Sequence, residues 1–416
     1  MMSKYPNLND CCIAVIGLGY VGLPLAIEFA KKRTCNITRK SLNRKIIGFD
    51  SNNLRIKELQ ENYDRTGETS PDDLTNLENL IFTEKKELLK KADVFIVTVP
   101  TPINEKKEPD LSFLKKACKI IGQTLKGKKC NFYPVVIFES TVFPGATEEV
   151  CASIIQEESS LIYKKNFFCG YSPERINPGD KTKRLKDIVK VTSGCNKEST
   201  EWVNNLYASV IEAGTYKATS IRVAEAAKVI ENTQRDLNIA LVNEFSVIFS
   251  RMGIDTLDVL DTAASKWNFL NFRPGFVGGH CIGVDPYYLT WKAEQSGYKS
   301  QILLSGRKVN ENMSRFVFDK ILENLERSKS LSKNVKVLIC GISFKEDCPD
   351  IRNSKVFDLL KLFENKKFNV DIYDPIADLS NTDYLKNSNL LFEFPTKKIY
   401  EVIVMAVPHN IFRKTP

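Results

Sequence analysis

Cys281 lies in Gly278-Gly279-His280-Cys281-Ile282-Gly283-Val284-Asp285-Pro286, and a thiol in a glycine-rich turn is a candidate nucleophile. Lys228, Asn232 and Arg235 are spaced i, i+4 and i+7. A helix would bring all three to one face, although a solvated polar face is the ordinary meaning of such spacing. The third constellation is Gly17-Leu18-Gly19-Tyr20-Val21-Gly22, preceded by the apolar run Ile13-Ala14-Val15-Ile16 and followed by an apolar stretch over residues 23–30. Gly17 allows a tight turn, Gly19 lets backbone approach a pyrophosphate, and Gly22 lets helix and strand pack closely. The helix start would add free N–H groups and a favourable dipole for an anion.

These residues need a frame, and the surrounding sequence predicts one. A second apolar strand over residues 45–49 ends in Asp50, the position from which a carboxylate can hold a ribose 2′-hydroxyl, which favours NAD over NADP. The intervening polar, basic segment, residues 31–44, is expected to bulge into solvent. Residues 94–99, 135–138 and 167–170 read as short buried strands with amphipathic stretches between them, giving a doubly wound parallel sheet. Two strand exits, Pro100-Thr101-Pro102 and Glu139-Ser140-Thr141, fall where such sheets line a cofactor crevice, or are ordinary turns.

Residues 220–251 contain no proline or glycine and are expected to form one long helix that joins two sheets and offers a dimerisation surface. After it the opening architecture repeats: a strand at 335–340, a helix at 354–363, and a strand at 369–373 ending in Asp374-Pro375. The second loop, Phe344-Lys345-Glu346-Asp347-Cys348-Pro349-Asp350-Ile351-Arg352, lacks three glycines. A nucleotide diphosphate is therefore expected there, for which Lys and Arg are suited. The fold class is α/β: two Rossmann-like doubly wound sheets joined by a long central helix. The division expected is 1–215, 216–325 and 326–416.

Composition narrows the function classes. Hydrophobic content of 43% and charged content of 27% are those of an ordinary globular protein. No apolar run is long enough to span a bilayer, and residues 1–10 lack a signal-peptide core, so a cytoplasmic location is expected and no membrane partner. The net charge of +9 is spread among acids without an aromatic-studded basic stripe, which argues against nucleic acid; a solvated basic surface and an anionic small substrate both remain compatible with it. The 11 cysteines show no metal-ligand spacing and there are only two histidines, His280 and His409, so no metal is expected and most thiols should be buried.

Over almost its whole length the chain resembles the UDP-glucose/GDP-mannose dehydrogenase family. The motifs are Gly17-Leu18-Gly19-Tyr20-Val21-Gly22-Leu23-Pro24, Val99-Pro100-Thr101-Pro102, Glu139-Ser140-Thr141, Ser172-Pro173-Glu174-Arg175, Lys228 with Asn232, Cys281 with Asp285, and Phe344-Lys345 with Asp350 and Arg352. The stretch Lys266-Trp267-Asn268-Phe269-Leu270, through Arg273-Pro274-Gly275 to Pro286-Tyr287-Tyr288-Leu289, resembles the branch acting on UDP-N-acetylglucosamine or UDP-N-acetylgalactosamine.

The resemblance implies oxidation of a sugar 6-hydroxyl to a carboxylate, with two hydrides passed to NAD through a Cys281 thioester, supplying surface polysaccharide precursors. Under it Lys228 and Asn232 would hold the oxygen on which charge develops, Asp285 would assist proton removal, and Glu174 with Thr141 would activate the hydrolytic water. Gly17, Gly19, Tyr20, Val21, Gly22, Asp50, Arg55, Pro100, Thr101, Thr141 and Arg352 would form the cofactor site. Glu174, Arg175, Ile176, Lys228, Asn232, Arg235, Arg273, Gly275 and Lys345 would contact substrate. A homodimer through the central helix is implied. Relatives usually continue past Pro416, so the C-terminal unit is expected to be shortened, with an exposed sheet edge. A two-electron hydroxyacid-type dehydrogenase and a catalytically inactive nucleotide-binding protein remain alternatives.

Overall fold

The computed structural model describes residues 4–128, 131–176, 184–279, 282–331, 335–379, 385, 388–396 and 399–414. Eight short segments build the first sheet: β1 (Cys12–Ile16), β2 (Lys45–Phe49), β3 (Leu80–Thr83), β4 (Val94–Val97), β5 (Val135–Phe138), β6 (Phe168–Tyr171), β7 (Lys190–Gly194) and β8 (Thr215–Lys217). Their order is β3-β2-β1-β4-β5-β6-β7-β8. The first six follow the dinucleotide-binding order, with the reversal between β1 and β4. In β1, β4, β5 and β6 every residue is buried, so these central strands read as continuous apolar runs, not alternating ones. The helices Gly22–Lys31, Ser112–Leu125 and Lys197–Ala208 pack on this sheet.

Two expectations need correction. The sheet is parallel except where β6 meets β7, an antiparallel junction pairing Gly170 with Gly194 and Tyr171 with Ser193. Residues 31–44 are not simply a solvent bulge. Cys35, Leu42 and Arg44 are buried, Asn36 donates to the carbonyls of Ser209 and Ile211, and Arg44 donates to Leu8 O at 2.7 Å and Ser209 Oγ at 2.9 Å. The end of the helix Lys197–Ala208 leaves carbonyls that need donors, and the insert supplies them.

The second sheet contains β9 (Lys336–Cys340), β10 (Asn369–Tyr373), β11 (Asn389–Leu391) and β12 (Val402–Met405), all parallel, in the order β11-β10-β9-β12. Among the described residues β12 is an edge strand, with Ile403 and Met405 exposed. The helix Val356–Asn365 lays Val356, Phe357, Leu359, Leu360 and Phe363 into this unit's core. A single helix, Ile221–Met252, follows β8. The chain divides into two compact units, Met1–Ile230 with Tyr287–Lys292 and Glu231–Pro286 with Ala293–Pro416.

Candidate active site

The turn after β1 is built by four constraints. Gly17 has φ +96°, a conformation that favours glycine, and its N–H donates to Phe49 O at 2.8 Å. The next N–H, on Leu18, donates to Asp50 Oδ2 at 2.9 Å, while Oδ1 accepts from Asn52. At Gly22 a β-carbon would stand 1.9 Å from Gly17 O and 2.4 Å from Thr98 Oγ1, so no other residue fits without moving backbone. At Gly19 a β-carbon would meet nothing within 4 Å: the backbone is open on that side. Tyr20 and Val21 are half-buried and lead into the helix Gly22–Lys31.

Arg55, expected at the cofactor, is buried; its Nε donates to Leu18 O at 2.9 Å and its Nη2 to Asp64 at 2.7 Å. Its Nη1 is buried, makes no hydrogen bond and lies 3.9 Å from Glu58 Oε2. The open Gly19 backbone, the helix start beyond it and the acid that ends β2 together fit a dinucleotide.

The second unit repeats the same device and uses it up. Gly341 has φ +85° and donates to Tyr373 O at 2.9 Å; Ile342 N–H donates to Asp374 Oδ2 at 2.7 Å. Asp374 also accepts from Ser343, Ile376 and Ala377 and lies 3.2 Å from His409 Nε2. Although burial alone would raise it, these donors, His409 foremost, hold the Asp374 carboxyl below its ordinary range. With both oxygens so engaged, Asp374 has little left to offer a ribose.

At the strand exits of the first unit, Thr101 Oγ1 donates to Thr141 O at 2.7 Å, and Tyr288 donates to Thr101 O at 2.6 Å. Ser140 Oγ donates to Val99 O at 2.6 Å. Pro100 is exposed. After β6, Glu174 Oε1 accepts the N–H groups of Arg175 and Ile176, each at 2.5 Å; Arg175 Nη1 in turn donates to Val189 O at 3.0 Å. Lys228 is buried on the long helix.

In the second unit Asn232 Nδ2 donates to Asp285 Oδ2 at 2.5 Å, and Asp285 is buried. Gly275 is clamped by Asn243, which accepts its N–H at 2.9 Å and donates to its carbonyl at 3.0 Å. Gly279 has φ +76°, with its would-be β-carbon 2.8 Å from the Phe344 ring, and its carbonyl accepts from Asn353 Nδ2 at 2.7 Å. Arg235 is exposed, Arg273 pairs with Asp261, Arg352 pairs with Asp350 at 2.6 Å, and Lys345 Nζ sits 5.7 Å from the centre of the Phe344 ring. Cys281 and His280 lie outside the described residues.

The sequence matches the NAD binding domain of the UDP-glucose/GDP-mannose dehydrogenase family over residues 11–211, its central domain over 222–312, and its UDP binding domain over 338–416. The chain belongs to this family. It is 48% identical to the UDP-N-acetyl-D-glucosamine 6-dehydrogenase of Pseudomonas aeruginosa over 98% of its own length and 92% of that protein's. It is 47% identical to the protein of the same name from Salmonella typhi, with the same coverage. Its fold superposes on the UDP-D-ManNAc dehydrogenase structure from Pyrococcus horikoshii with a TM-score of 0.81 at 27% identity, covering 97% of this chain and 90% of that one.

This is accordingly an NAD-binding nucleotide-sugar dehydrogenase. No helix among the described residues is long and apolar enough to cross a membrane, and no group of His, Cys, Asp or Glu among them could hold a metal ion. Several positioning residues of this dehydrogenase escape a sequence reading. Thr98, whose hydroxyl donates to Gly17 O at 2.7 Å, ends an apolar strand and looks like its edge. Asn353 follows the Arg352 motif directly and adopts φ +54°; an asparagine beside a recognised loop was the available signal. Lys190, 2.6 Å from Glu139, gave none.

Proposed function

We propose that the chain oxidises the 6-hydroxyl of a UDP-N-acetylhexosamine to the carboxylate in two steps, through a thioester on Cys281, supplying uronate precursors of a surface polysaccharide. The observation that carries the substrate is the near-half identity, across 98% of the chain, to two proteins named for UDP-N-acetyl-D-glucosamine. The proposed division into 1–215, 216–325 and 326–416 is supported by the three matched segments, each of which falls inside one part.

NAD, when bound, supplies the hydride acceptor. Gly17, Gly19, Tyr20, Val21, Gly22, Asp50, Arg55, Pro100, Thr101, Thr141 and Arg352 are the residues proposed to hold it. Lys228 and Asn232 steady the sugar oxygen as negative charge develops, and the Lys228 ammonium favours the Cys281 thiolate. Asp285, already hydrogen-bonded to Asn232, accepts the proton of the 6-hydroxyl through a water. The thiolate adds to the aldehyde carbon, and the resulting thiohemiacetal loses a second hydride from that carbon to become the thioester; without the nucleophile, oxidation would stop at the aldehyde. Glu174 and Thr141 then direct water at the thioester carbon. Arg175, Ile176, Arg235, Arg273, Gly275 and Lys345 are proposed to contact the sugar nucleotide.

A homodimer through the long helix is part of the proposal. Leu241, Ile248 and Met252 are exposed on that helix, and their spacing sets them along one face. Light scattering of the wild type and of Leu241→Glu/Ile248→Glu distinguishes dimer from monomer.

The experiment that tests the chemistry is the NADH formed per UDP-N-acetylglucosamine or UDP-N-acetylgalactosamine consumed, with sugar limiting. Two per sugar is the expected result. One per sugar means alcohol oxidation alone, and none with either sugar overturns the substrate assignment.

A further inference from the structure

His409 has no part in the proposed chemistry, yet it is fully buried where the exits of three adjacent strands meet. It follows β12, Asp374 follows β10, and Ser343 and Asp347 belong to the loop after β9. The backbone N–H of Asp347 donates to His409 Nδ1 at 2.9 Å. A ring nitrogen that accepts carries no proton, so the imidazole proton is on Nε2. That nitrogen lies 3.2 Å from Asp374 Oδ2 and 3.4 Å from Ser343 Oγ. Ser343 spends its own proton on Lys345 O, at 2.8 Å, which leaves its oxygen to accept from the ring. The two edges of one imidazole are thus fastened to the chain on either side of Lys345.

The segment needs such fastening. Residues 341–352 form neither helix nor strand, so no periodic backbone sets the direction in which Lys345 leaves the chain. Asp347 stands at φ +53°, a conformation that is strained for a residue with a side chain. Its carboxylate accepts the backbone N–H of Asn410 at 2.9 Å and the Asn410 side-chain amide, so the residue after His409 grips the same point. On the other side the Ser343 carbonyl accepts from Ser354 Oγ at 3.1 Å. Filling the space beside the Phe412 ring, 5.5 Å from that of His409, would need only an apolar side chain. An imidazole buried there must find partners for both nitrogens, and each partner it finds orders this loop or the acid beneath it.

We propose that His409 is a positioning residue for sugar-nucleotide binding: through Ser343 and Asp347 it fixes the backbone on both sides of Lys345, and with it the place of the Lys345 ammonium. The inference rests on the assignment of Lys345 to the sugar nucleotide above. His409 makes and breaks no bond in the reaction. Its contribution is to order beforehand a loop that the substrate would otherwise have to order on binding, at a cost in affinity. Asp374 has a matching role: it holds the imidazole.

The test is a double-mutant cycle read by isothermal titration with UDP-N-acetylglucosamine, NADH being saturating so that the sugar binds without being oxidised. Lys345→Met should weaken binding about tenfold or more; unchanged affinity would overturn the assignment of Lys345 and this inference with it. Given that loss, two variants decide the role of His409. In His409→Asn the amide oxygen can take the place of Nδ1 while nothing replaces Nε2, and Ser343→Ala removes the hydroxyl that holds Lys345 O. Each should weaken sugar-nucleotide binding about fivefold and leave NADH affinity unchanged. In the Lys345→Met background neither should weaken it further, because the ammonium they place is gone. Full additivity there would overturn the proposal while leaving the assignment of Lys345 standing. Wild-type affinity in both single variants, or an equal loss of NADH affinity, would overturn it too, the latter being the mark of a generally loosened protein. Ser343→Ala deletes one atom and decides the matter by itself if His409→Asn does not fold.

Discussion

Asn232 donates its side-chain amide to Asp285 at 2.5 Å, joining the long helix to the first residue of the helix Asp285–Gln295. The hydrogen bond fixes which way the asparagine amide points, since only its NH2 end can donate. Asp285→Asn should lower kcat by about 100-fold or more, the scale on which a positioned general base contributes. Asn232→Asp would set two carboxylates together and should raise the pH at which activity appears; kcat against pH for both variants checks this.

The dinucleotide turn makes opposite predictions for two of its glycines. A methyl at Gly19 meets nothing within 4 Å, so Gly19→Ala should fold and melt like wild type while raising the KM for NAD at least about tenfold, by blocking backbone approach. Gly22→Ala puts a carbon 1.9 Å from a carbonyl oxygen and should destabilise its unit by about 3 kcal/mol. Thermal melts and NAD titrations of the pair separate packing from binding.

Glu225, on the long helix, accepts the N–H of Gly145 at 2.5 Å and of Thr147 at 2.9 Å. Burial raises its pKa from 4.5 to about 7, against the pull of those two donors. The folded state therefore binds this proton more tightly than the unfolded state. The stabilisation is complete below pH 4.5 and is lost as pH rises to about 7, amounting to about 3 kcal/mol at most. Melting temperature against pH should fall more steeply over that window in wild type than in Glu225→Gln, which cannot titrate; parallel curves would exclude the effect.

Asn353 clamps Gly279, two residues before Cys281, from a left-handed backbone. Asn353→Gly keeps the backbone freedom and removes the donor, whereas Asn353→Ala removes both. If the clamp orders the nucleophile's loop, both variants should lower kcat about tenfold or more with NAD affinity unchanged, and only the alanine variant should lose about 1 kcal/mol of stability through its backbone. Unchanged turnover in the glycine variant would remove Asn353 from that role.

Legibility in the sequence followed the physics of each element. β2 was readable to the residue because an apolar run ends in an acid, and the long helix because no proline or glycine interrupts it. β3 is not, since its four residues are buried only at the two ends, Leu80 and Thr83, and show no alternation to read. β7 was missed for the opposite reason: Lys190, Thr192 and Ser193 are polar yet buried, and nothing local distinguishes them from a solvated turn. Arg44 reads as part of a basic bulge because its partners, Leu8 and Ser209, are 36 and 165 residues away. Contacts of that kind belong to the tertiary structure alone.

Asp50 ties down the turn through Leu18 while occupying the position that selects the unphosphorylated dinucleotide. On the proposed cofactor site, cofactor preference and loop architecture are carried by one side chain. A lineage drifting toward a 2′-phosphorylated cofactor cannot simply lose this acid. It must first find another acceptor for the Leu18 N–H, so the change requires at least two coordinated substitutions, and the intermediate is the less stable protein.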